Sequence, residues 1–589
     1  MKQIRFYFTF ISLIISLHYS YSQTIPSSRT VDWSSAGLAA TQIEPSVIID
    51  FRSRGGSNNG VTANDSVFTA ILNSINQGDS ATIFFPNGNY LFNQSLNLRS
   101  NVFISGESTD STILTFNLNG SGDLINLIGS STNDTSFITS TLPKGSNSLS
   151  VNNSNLFNVG DFIRLIDIDT SKVTSTWATG STGQIVRIIA INGSTLQIDK
   201  NLRRAYTINN QPFIRRLNMI ENNKIESLTI NRMDSTAGSF SNINFVYAYN
   251  SKVSCVKSYD CNFSHIEANY SRNIEIEGSY FQHSYGYGSG GRAYGVMLHF
   301  TTSDCFVYNN KFNHLRHSMI LQAGSNGNVF AYNYSINPFW SGTSLPSDAA
   351  GDLVLHGNYV YANLFEGNIV QNLVIDNSHG INGPHNVFFR NRVDNYGIVM
   401  NTTDVTDSAC FVGNEVTNTG FFKGNYLLAG NGHFEHGNNV IGTVRPSGTN
   451  SLSDSSYYFF NAPSYYFSNS IWPPIGIPNA INSNTTEAEV KYNSGALTQC
   501  NSAISSQIKK NNNTEANIKI FPNPVENNFK IQSDASLKEI IIYSISGKVI
   551  FYSMKHLNDI DLSSFPKGIY LMKAITERDE IYNQKIIKK

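Results

Sequence analysis

Residues 294–310 read YGVMLHFTTSDCFVYNN and contain two patterns that recur along the chain. In the first pattern, seen in CFVYNN, an apolar residue and Phe are followed by two variable residues and then Asn. Copies of this pattern end at Asn309, Asn333, Asn368, Asn391 and Asn414, with spacings of 24, 35, 23 and 23 residues. Short β-rich runs at such a period predict a parallel β-helix, whose stacked coils bury a continuous interior.

The repeated asparagine is expected to lie at a corner between strands. Asparagine tolerates the left-handed backbone conformation that such a turn needs. Asparagines stacked in successive coils would also form a ladder of side-chain hydrogen bonds. The one long spacing predicts an inserted loop, and NPFWSGTSLPSD at residues 337–348 has the composition of an exposed loop.

The second pattern is an apolar triplet that ends in a polar residue. The triplets VML, MIL, LVL, LVI and IVM precede His299, Gln322, His356, Asp376 and Asn401. Neighbouring strands in a parallel stack lie about 4.8 Å apart, so these side chains should form one polar line roughly 20 Å long. A line of this kind along the side of a solenoid predicts a binding cleft.

Histidines are concentrated around this line, since 10 of the 12 lie between residues 265 and 436. Histidine titrates near neutral pH and is the commonest general acid or base, although any one of these histidines could instead cap a turn. We interpret His299 or His356 as a catalytic base, Asp376 as the carboxylate that orients an imidazole, and Arg316 as the cation for an acidic group. The expected substrate-binding residues are Gln322, Asn401, His317, His379, Arg292, Tyr287 and Tyr294.

The overall composition excludes some classes of protein. Lys and Arg total 41 and Asp and Glu total 42, so the chain lacks the basic character of a nucleic-acid-binding protein. Charged residues make up 14% and aromatic residues 12%, which favours β-structure with tight turns. The five scattered cysteines indicate neither a zinc site nor a disulfide framework. No metal site and no certain cofactor are predicted, and a need for calcium is left open.

The first residues have the form of a secretory signal peptide. Two basic residues precede an apolar segment, Phe6–Leu17, and Ser-Tyr-Ser at 20–22 has the small-x-small form of a cleavage site. We therefore expect a signal peptide over residues 1–22 and a mature chain that begins at Gln23. No later run of about 18 apolar residues occurs, so no transmembrane segment is expected in the mature chain.

Residues 48–75 and 81–108 carry a further set of motifs: IIDFRSRGG, then VTAND before a helical pattern over Val67–Ile75, then FPNGNY. This succession resembles the opening of the pectate lyase superfamily, also described as rhamnogalacturonase- or epimerase-like. The resemblance implies a right-handed parallel β-helix closed by an N-terminal capping helix. It does not imply a reaction, because the superfamily includes lyases, hydrolases, epimerases and phage tailspikes. The paired aspartates of polygalacturonases and the calcium-binding aspartates of pectate lyases have no match in this sequence.

The C-terminal part has a different character. Residues 485–517 are polar and end in QIKKNNNTEAN, which predicts a linker. The segments IKIFPNPVENNFKI, IIIYSISGKVI, LSSFPKGIYLMKA and KIIKK then resemble the type A C-terminal sorting domain of the Bacteroidetes type IX (Por) secretion system. The resemblance implies export through the periplasm and outer membrane by that machinery. Without the resemblance, the strands predict a small β-sandwich, which would also fit a carbohydrate-binding or immunoglobulin-like module.

The sequence thus predicts an all-β protein: a β-helix over residues 23–484, a linker over 485–517 and a C-terminal β-sandwich sorting domain over 518–589. We expect a monomer that is secreted or attached to the cell surface and acts on a polysaccharide.

Three functional hypotheses follow from these patterns. A lyase for an acidic polysaccharide needs a base and a cation, which the polar line offers. A glycoside hydrolase needs two carboxyl groups about 5–10 Å apart, for which Asp376 could pair with Glu366, Asp352 or Asp304. The third hypothesis is a glycan-binding surface protein without enzymatic activity. The lyase is the hypothesis that we favour.

Overall fold

The computed structural model divides the chain into two compact units, Met1–Asn501 and Ser502–Lys589. It describes residues 23–39, 45–168, 171–287, 291–339, 350–376, 379–400, 406–466, 471–498, 519–533, 536–544, 549–554, 559–577 and 581–589. The predicted signal peptide and most of the predicted 337–348 loop lie outside these ranges.

The first unit begins with short parallel strands and one helix. The helix α1 (Asp65–Ser74) is the predicted capping helix, and it buries Phe68 and Ile71 against the end of the core. The strands are β1 (Val47–Asp50), β2 (Asn59–Ala63), β3 (Ala81–Phe85), β4 (Gly88–Phe92), β5 (Leu96–Asn97), β6 (Val102–Gly106), β7 (Thr112–Phe116) and β8 (Ile125–Ile128).

An antiparallel sheet that the sequence patterns did not predict is inserted at residues 130–218. Its strands are β9 (Ser130–Phe137), β10 (Ser148–Ser150), β11 (Phe162–Ile166), β12 (Gly183–Asn192), β13 (Thr195–Ile198) and β14 (Phe213–Asn218), in the order β10-β13-β12-β11-β14-β9. The sheet has its own apolar core and is joined to the β-helix by buried polar contacts. Arg203 of the insertion forms an ion pair with Asp304, and the Tyr361 hydroxyl donates to the Gly183 carbonyl at 2.6 Å.

The remaining coils follow the insertion. Their strands are β15 (Ile220–Glu221), β16 (Lys224–Glu226), β17 (Thr229–Arg232), β18 (Ile243–Val246), β19 (Ala248–Ser254), β20 (Lys257–Cys261), β21 (Ser264–Asn269), β22 (Arg272–Glu277), β23 (Tyr280–Ser284), β24 (Tyr294–His299), β25 (Phe306–Tyr308), β26 (Lys311–Asn313), β27 (His317–Leu321), β28 (Val329–Ala331), β29 (Tyr334–Ile336), β30 (Leu353–His356), β31 (Leu364–Glu366), β32 (Ile369–Asp376), β33 (Val387–Phe389), β34 (Arg392–Met400), β35 (Cys410–Val412), β36 (Glu415–Val416), β37 (Asn425–Leu427), β38 (Phe434–His436), β39 (Asn438–Val440) and β40 (Thr443–Arg445).

Across the described residues these strands stack in three parallel ladders. The first ladder runs β1-β3-β6-β16-β19-β22-β25-β28-β31-β33-β35-β38. The second runs β2-β4-β7-β17-β20-β23-β26-β29-β32-β34-β36-β39, and the third runs β5-β8-β18-β21-β24-β27-β30-β32-β34-β37. The long strands β32 and β34 belong to both the second and the third ladder. The predicted right-handed parallel β-helix is confirmed.

The phenylalanine of the repeat forms a stack inside the β-helix. Phe330, Phe365, Phe388 and Phe411 occupy the same position in successive coils, with ring centroids 5.6, 5.0 and 5.0 Å apart. The rings are nearly parallel and fully buried. Since each coil exposes a new apolar surface to its neighbours, this stack explains why the repeat keeps an aromatic residue at one position.

The predicted asparagine ladder is present, but it begins at Asn310 rather than Asn309. Strand pairing aligns Val307 with Phe330, so the pattern CFVYNN is shifted by one residue in this coil. Phe306 therefore points outward and packs against Tyr458 at 4.5 Å. The side-chain amides donate from coil to coil at 2.9–3.1 Å along Asn310, Asn333, Asn368, Asn391, Asn414 and Asn438.

The residue with a left-handed backbone conformation at this corner is also not the ladder asparagine, as predicted, but the residue before it. Positive φ angles of 52–67° occur one residue before each ladder asparagine. These residues are Asn309, Tyr332, Gly367, Arg390, Gly413 and Gly437. The ladder asparagines recur at one position of each coil because their side chains bond across the stack, whereas the strained backbone position accepts several residue types.

Replacing the ladder residue Asn391 by alanine is expected to lower the free energy of unfolding by about 3 kcal/mol, because each buried polar group left without a partner costs about 1–3 kcal/mol. The Asn391 amide donates to the Phe365 carbonyl and to Asn414, and it accepts from the backbone and side chain of Asn368. All four tryptophans lie between residues 33 and 472, so tryptophan fluorescence reports on the first unit during denaturant unfolding of the full chain. The exposed Asn209→Ala is the control, and equal losses in the two variants would rule out a stabilising ladder.

The predicted linker begins too early. Helix α2 (Glu487–Asn493) lies within residues 485–517 and packs on the β-helix, where Ala488 is buried beside Tyr334 and Ile369. The Tyr492 ring lies 5.4 Å from that of Tyr334. The polar composition concealed this helix because only one side of a short helix needs apolar residues. The folded part of the first unit therefore continues beyond residue 484.

The cysteines differ in their chemical state. Cys255 is disulfide-bonded, which the scattered spacing did not indicate, whereas Cys261, Cys305 and Cys410 are free and buried. Burial raises the pKa of Cys261 and of Cys305 to about 12, so these thiols stay protonated and act as small core residues.

The second unit is the predicted small β-sandwich. One antiparallel sheet has the order β41-β42-β45 and the other the order β44-β43-β46-β47, and residues of both share one apolar core. The strands are β41 (Lys519–Phe521), β42 (Asn528–Gln532), β43 (Leu537–Ser544), β44 (Val549–Ser553), β45 (Asp559–Asp561), β46 (Gly568–Thr576) and β47 (Ile581–Lys588). Within the described ranges of the whole chain, no helix is long and apolar enough to cross a bilayer.

Candidate active site

The polar line predicted from the apolar triplets lies on the outward face of the third ladder. Strand pairing aligns His299, Gln322, His356 and Asp376 in successive coils. Asn269 pairs with His299 and adds one position on the N-terminal side. The predicted last member, Asn401, lies outside the described residues.

A cavity of about 590 Å³ opens over this line. Six of the predicted site residues line it, namely His299, His356, Arg316, Gln322, His379 and Tyr294. The sequence patterns did not indicate the remaining lining residues, which are Trp177, Phe263, Gly291, Met297 and Phe300. The cavity is thus apolar on several sides and carries titratable groups along one line, as small-ligand sites commonly do.

His356 and Asp376 form an imidazole–carboxylate pair. Nδ1 of His356 lies 2.7 Å from Oδ2 of Asp376, and the two side chains are 12% and 9% exposed. Because the carboxylate accepts the hydrogen on Nδ1, the lone pair of the imidazole is on Nε2. No described residue hydrogen-bonds to that Nε2. His356 can therefore accept a proton from a molecule in the cavity.

His299 forms the second imidazole–carboxylate pair of the polar line. Its partner is Glu267, which the sequence patterns did not predict. Nε2 of His299 lies 2.9 Å from Oε1 of Glu267, while Nδ1 is buried and without a hydrogen-bond partner among the described residues. Burial would raise the pKa of Glu267, but hydrogen bonds from His299, Asn269 and Ser241 outweigh it and hold that pKa below its usual value. The free nitrogen of His299 is enclosed, so His299 is less suited than His356 to act as a base.

Arg316 is another of the residues that line the cavity. Its guanidinium makes no hydrogen bond or ion pair with any residue that the structure describes, although it lies near His317 and Tyr294. An unpaired guanidinium in a partly apolar cavity is a strong binding group for a carboxylate or sulfate.

Tyr294 and His317 form a stacked pair beside the polar line, with ring centroids 5.3 Å apart. Burial raises the pKa of Tyr294 to about 12, so its hydroxyl is protonated at neutral pH. Burial lowers the pKa of His317 to about 3, and the charges of His356 and Arg316 act in the same direction. Nδ1 of His317 lies 2.8 Å from the Gly351 carbonyl oxygen, and His317 is not among the residues that line the cavity, so its predicted contact with substrate stays a prediction.

One wall of the cavity comes from the insertion, through the short 3-10 helix Thr176–Ala178 between β11 and β12. Trp177 is 46% exposed, and its ring meets Phe300 and His379 edge-on at 5.8 and 5.4 Å. The His379 ring is 4.8 Å from that of His356, and burial together with the charge of His356 lowers the pKa of His379. An exposed indole face of this kind suits stacking on a sugar ring.

Two further predicted substrate-binding residues do not line the cavity. Arg292 donates to the backbone carbonyls of Thr236 and Ala237. Tyr287 donates to the His314 carbonyl at 2.9 Å and stacks on Phe339 at 4.2 Å. Both side chains belong to the glycine-rich segment 284–295 and are held by local partners, which the residue types alone did not reveal.

The carboxylates considered as partners of Asp376 are buried elsewhere. Glu366 accepts from Tyr457 and Asp352 accepts from Gln371, and burial raises the pKa of each acid to about 7. Burial would also raise the pKa of Asp304, but Arg203 and Arg272 outweigh it and hold that pKa low. None of the three acids lines the cavity. Among the described residues, no group of three or more His, Cys, Asp or Glu side chains could hold a metal ion.

Acid is expected to destabilise the first unit through its buried neutral histidines. Burial lowers the pKa of His265 and of His317 to about 3, against 6.5 for a free imidazole. The unfolded chain therefore binds more protons between these values, and stability falls as the pH is lowered from 6.5 toward 3. Each histidine should contribute a slope of about 1.4 kcal/mol per pH unit.

Denaturant unfolding followed by tryptophan fluorescence between about pH 6 and pH 4 checks this slope. His265→Asn should reduce the slope of stability against pH by the contribution of one histidine. Asn391→Ala lowers stability without removing a titrating group, so its slope should equal that of the wild type. An unchanged slope in His265→Asn would show that this histidine is not buried in its neutral form.

The C-terminal unit matches a known family. Residues 519–589 match the model of the secretion system C-terminal sorting domain. This domain directs export by the type IX secretion system, to the cell surface or into the medium. The fold and this domain together define an exported parallel β-helix protein.

The first unit has distant structural neighbours. The tailspike protein of Pseudomonas phage LKA1 is 15% identical, with a TM-score of 0.44, over 63% of this chain and 64% of that chain, so the chain spans less than two thirds of that protein. The exopolygalacturonase of Thermotoga maritima is 11% identical over 64% and 83% of the two chains, with a TM-score of 0.36. A surface adhesin of Streptococcus pneumoniae is 12% identical over 67% and 89%, with a TM-score of 0.28. These similarities concern the fold alone, and no curated protein sequence matches the chain.

Proposed function

We propose that the protein is a secreted lyase that cleaves an acidic polysaccharide by β-elimination. The observation that carries the proposal is that two side chains line the same cavity: the imidazole of His356, which is hydrogen-bonded to Asp376, and the guanidinium of Arg316, which has no partner among the described residues. β-Elimination needs a base for the proton beside a uronate carboxylate, and a cation for the charge that develops on that carboxylate.

In the proposed reaction, Nε2 of His356 takes the proton from the carbon next to the carboxylate, and Asp376 stabilises the imidazolium. Arg316 binds the carboxylate, whose negative charge grows as the carbon–hydrogen bond breaks. The electron pair forms a carbon–carbon double bond and expels the glycosidic oxygen. Tyr294, which is protonated at neutral pH, donates a proton to that oxygen. The products are an unsaturated uronate and a new reducing end.

The carboxylates of the line support elimination over hydrolysis. Glu267 and Asp376 are four strand spacings apart, roughly 19 Å along the stack, whereas a hydrolase needs its two carboxyl groups about 5–10 Å apart. Each of these carboxylates is also hydrogen-bonded to an imidazole, Glu267 to His299 and Asp376 to His356. A binding protein without activity would need no such polarised imidazole, which weighs against the third hypothesis.

A screen of the purified full chain against acidic and neutral polysaccharides tests the proposal. Ultraviolet absorbance of an unsaturated uronate and the number of reducing ends are read together, with and without EDTA. Both signals should rise on an acidic polymer. Reducing ends without absorbance would indicate a hydrolase. Binding without either signal would indicate a glycan-binding protein, and loss of activity in EDTA would establish a need for a metal.

A further inference from the structure

Two arginines of the inserted sheet lie directly opposite each other. Strand β11 pairs with β14 so that Arg164 faces Arg215. The residues on the same face, Phe162 and Leu217, pack with Tyr247 of the β-helix. Since alternate residues of a strand share a face, both arginines point toward the β-helix. Like charges in directly opposite positions destabilise a sheet, so this arrangement calls for a counter-charge.

Neither arginine has a carboxylate partner among the described residues. The Arg164 guanidinium lies 4.6 Å from the centroid of the Tyr270 ring, and that of Arg215 lies 5.7 Å from the Phe213 ring. The Nε atoms of both arginines are buried and make no hydrogen bond within the part of the chain that the structure describes. A cation in such a setting is costly unless an anion binds beside it.

The nearby acids of the sheet are engaged elsewhere. Asp134 and Asp161 form ion pairs with Arg216, the neighbour of Arg215 on the opposite face of the strand. Burial lowers the pKa of Arg164, and the charge of Arg215 adds to that effect. The Arg164–Arg215 pair is therefore a positive patch of the insertion that no carboxylate among the described residues compensates.

The patch lies close to the proposed active site. Tyr270 stacks on Phe300 with centroids 5.2 Å apart, and Phe300 lines the cavity beside Trp177. Tyr247 continues the stack at 4.9 Å from Tyr270. Tyr270 follows Asn269, which belongs to the coil directly before that of His299. The patch thus lies about one to two strand spacings, roughly 5–10 Å, from the cavity wall.

We propose that Arg164 and Arg215 form a second anion-binding subsite, which takes a carboxylate or sulfate group on the same polysaccharide chain that occupies the cavity. Guanidinium groups bind both kinds of anion through paired N–H donors, and the tyrosines beside them offer surfaces for sugar rings. The identity of the ligand as a polysaccharide rests on the proposed function. The subsite implies a chain that bears charge on several sugars, rather than one isolated acidic residue.

Calorimetric titration of the full chain carrying His356→Ala tests this subsite without cleavage of the ligand. The probes are short and long oligosaccharides of galacturonate, of alginate and of chondroitin sulfate. Adding Arg215→Gln or Arg164→Gln should raise the Kd for a long acidic oligosaccharide about tenfold or more, as loss of a charge-assisted contact does. The Kd for the shortest oligosaccharide that binds should not change, because such a ligand reaches only the cavity. Arg215→Lys should raise the Kd for the long oligosaccharide less than Arg215→Gln does, since lysine keeps the positive charge.

The exposed Arg54→Gln is the matched control for a change of charge, and tryptophan fluorescence checks that each variant is folded. A larger loss with chondroitin sulfate than with galacturonate or alginate would identify sulfate as the preferred anion, and the reverse would identify carboxylate. Unchanged Kd values in both arginine variants, while the parent binds the long oligosaccharides, would overturn the subsite and leave the proposed function intact. If the parent binds no acidic oligosaccharide, both the subsite and the proposed function are wrong.

Discussion

Replacing His356 by alanine is expected to reduce kcat for elimination about 1,000-fold with little change in KM, because a general base contributes about 10²- to 10⁴-fold in the chemical step. Asp376→Asn should lose nearly as much, since an amide cannot stabilise the imidazolium and favours the wrong tautomer. The double variant should be no worse than His356→Ala alone, because the two residues act as one unit. Initial rates of product absorbance on the polymer found in the screen give these values.

His299→Ala is the matched control for this prediction, since it removes another carboxylate-bonded imidazole from the same line. The enclosed Nδ1 of His299 gives no access to a substrate proton, so we expect a loss of less than about tenfold. A larger loss in His299→Ala than in His356→Ala would assign the base to His299 and contradict the proposed role of His356.

Arg316→Ala is expected to lower kcat/KM about 100- to 1,000-fold, because one preorganised donor to a developing charge is worth that much in the transition state. Arg316→Lys should retain part of the activity, since it keeps the charge but loses the paired N–H geometry. The exposed Arg54→Ala should retain full activity.

A chemically altered substrate separates carboxylate binding from general damage to the site. Methyl esterification removes the charge that Arg316 is proposed to bind. On the esterified polymer, wild type and Arg316→Ala should therefore have similar kcat/KM values, as in a double-mutant cycle. An equal loss from Arg316→Ala on both substrates would show that Arg316 supports the structure of the site instead of binding the carboxylate.

The fold could be predicted because a solenoid repeats its local pattern in every coil. The phenylalanine and asparagine of the repeat each bond or stack with their own copies, so their spacing carries information about distant contacts. The same dependence on residue types caused the wrong choice of Asn309 as a ladder residue. Phe306 was aligned with the inward-pointing phenylalanines of the other coils, whereas the structure places Val307 in the interior. A pattern of residue types does not report a shift of one residue when both neighbours are apolar.

The polar line could be predicted because a parallel stack places equal repeat positions side by side. The other walls of the cavity could not, since Trp177 comes from an antiparallel insertion that belongs to no repeat. Glu267 was not predicted because it is not at the repeat position of the polar line. It lies in the coil before that of His299, two residues before the end of its strand. The hydrogen bonds of Arg292 could not be predicted, because an arginine on a loop can bond backbone carbonyls as readily as a ligand.

The most direct test of the central claim is the mass of the products from a defined acidic oligosaccharide. Elimination consumes no water, so the masses of the two fragments should sum to the mass of the substrate, and one fragment should carry the new double bond. The proposed chemistry of His356, Arg316 and Tyr294 predicts this result. Fragments whose masses exceed the substrate by one water molecule would contradict it and establish hydrolysis.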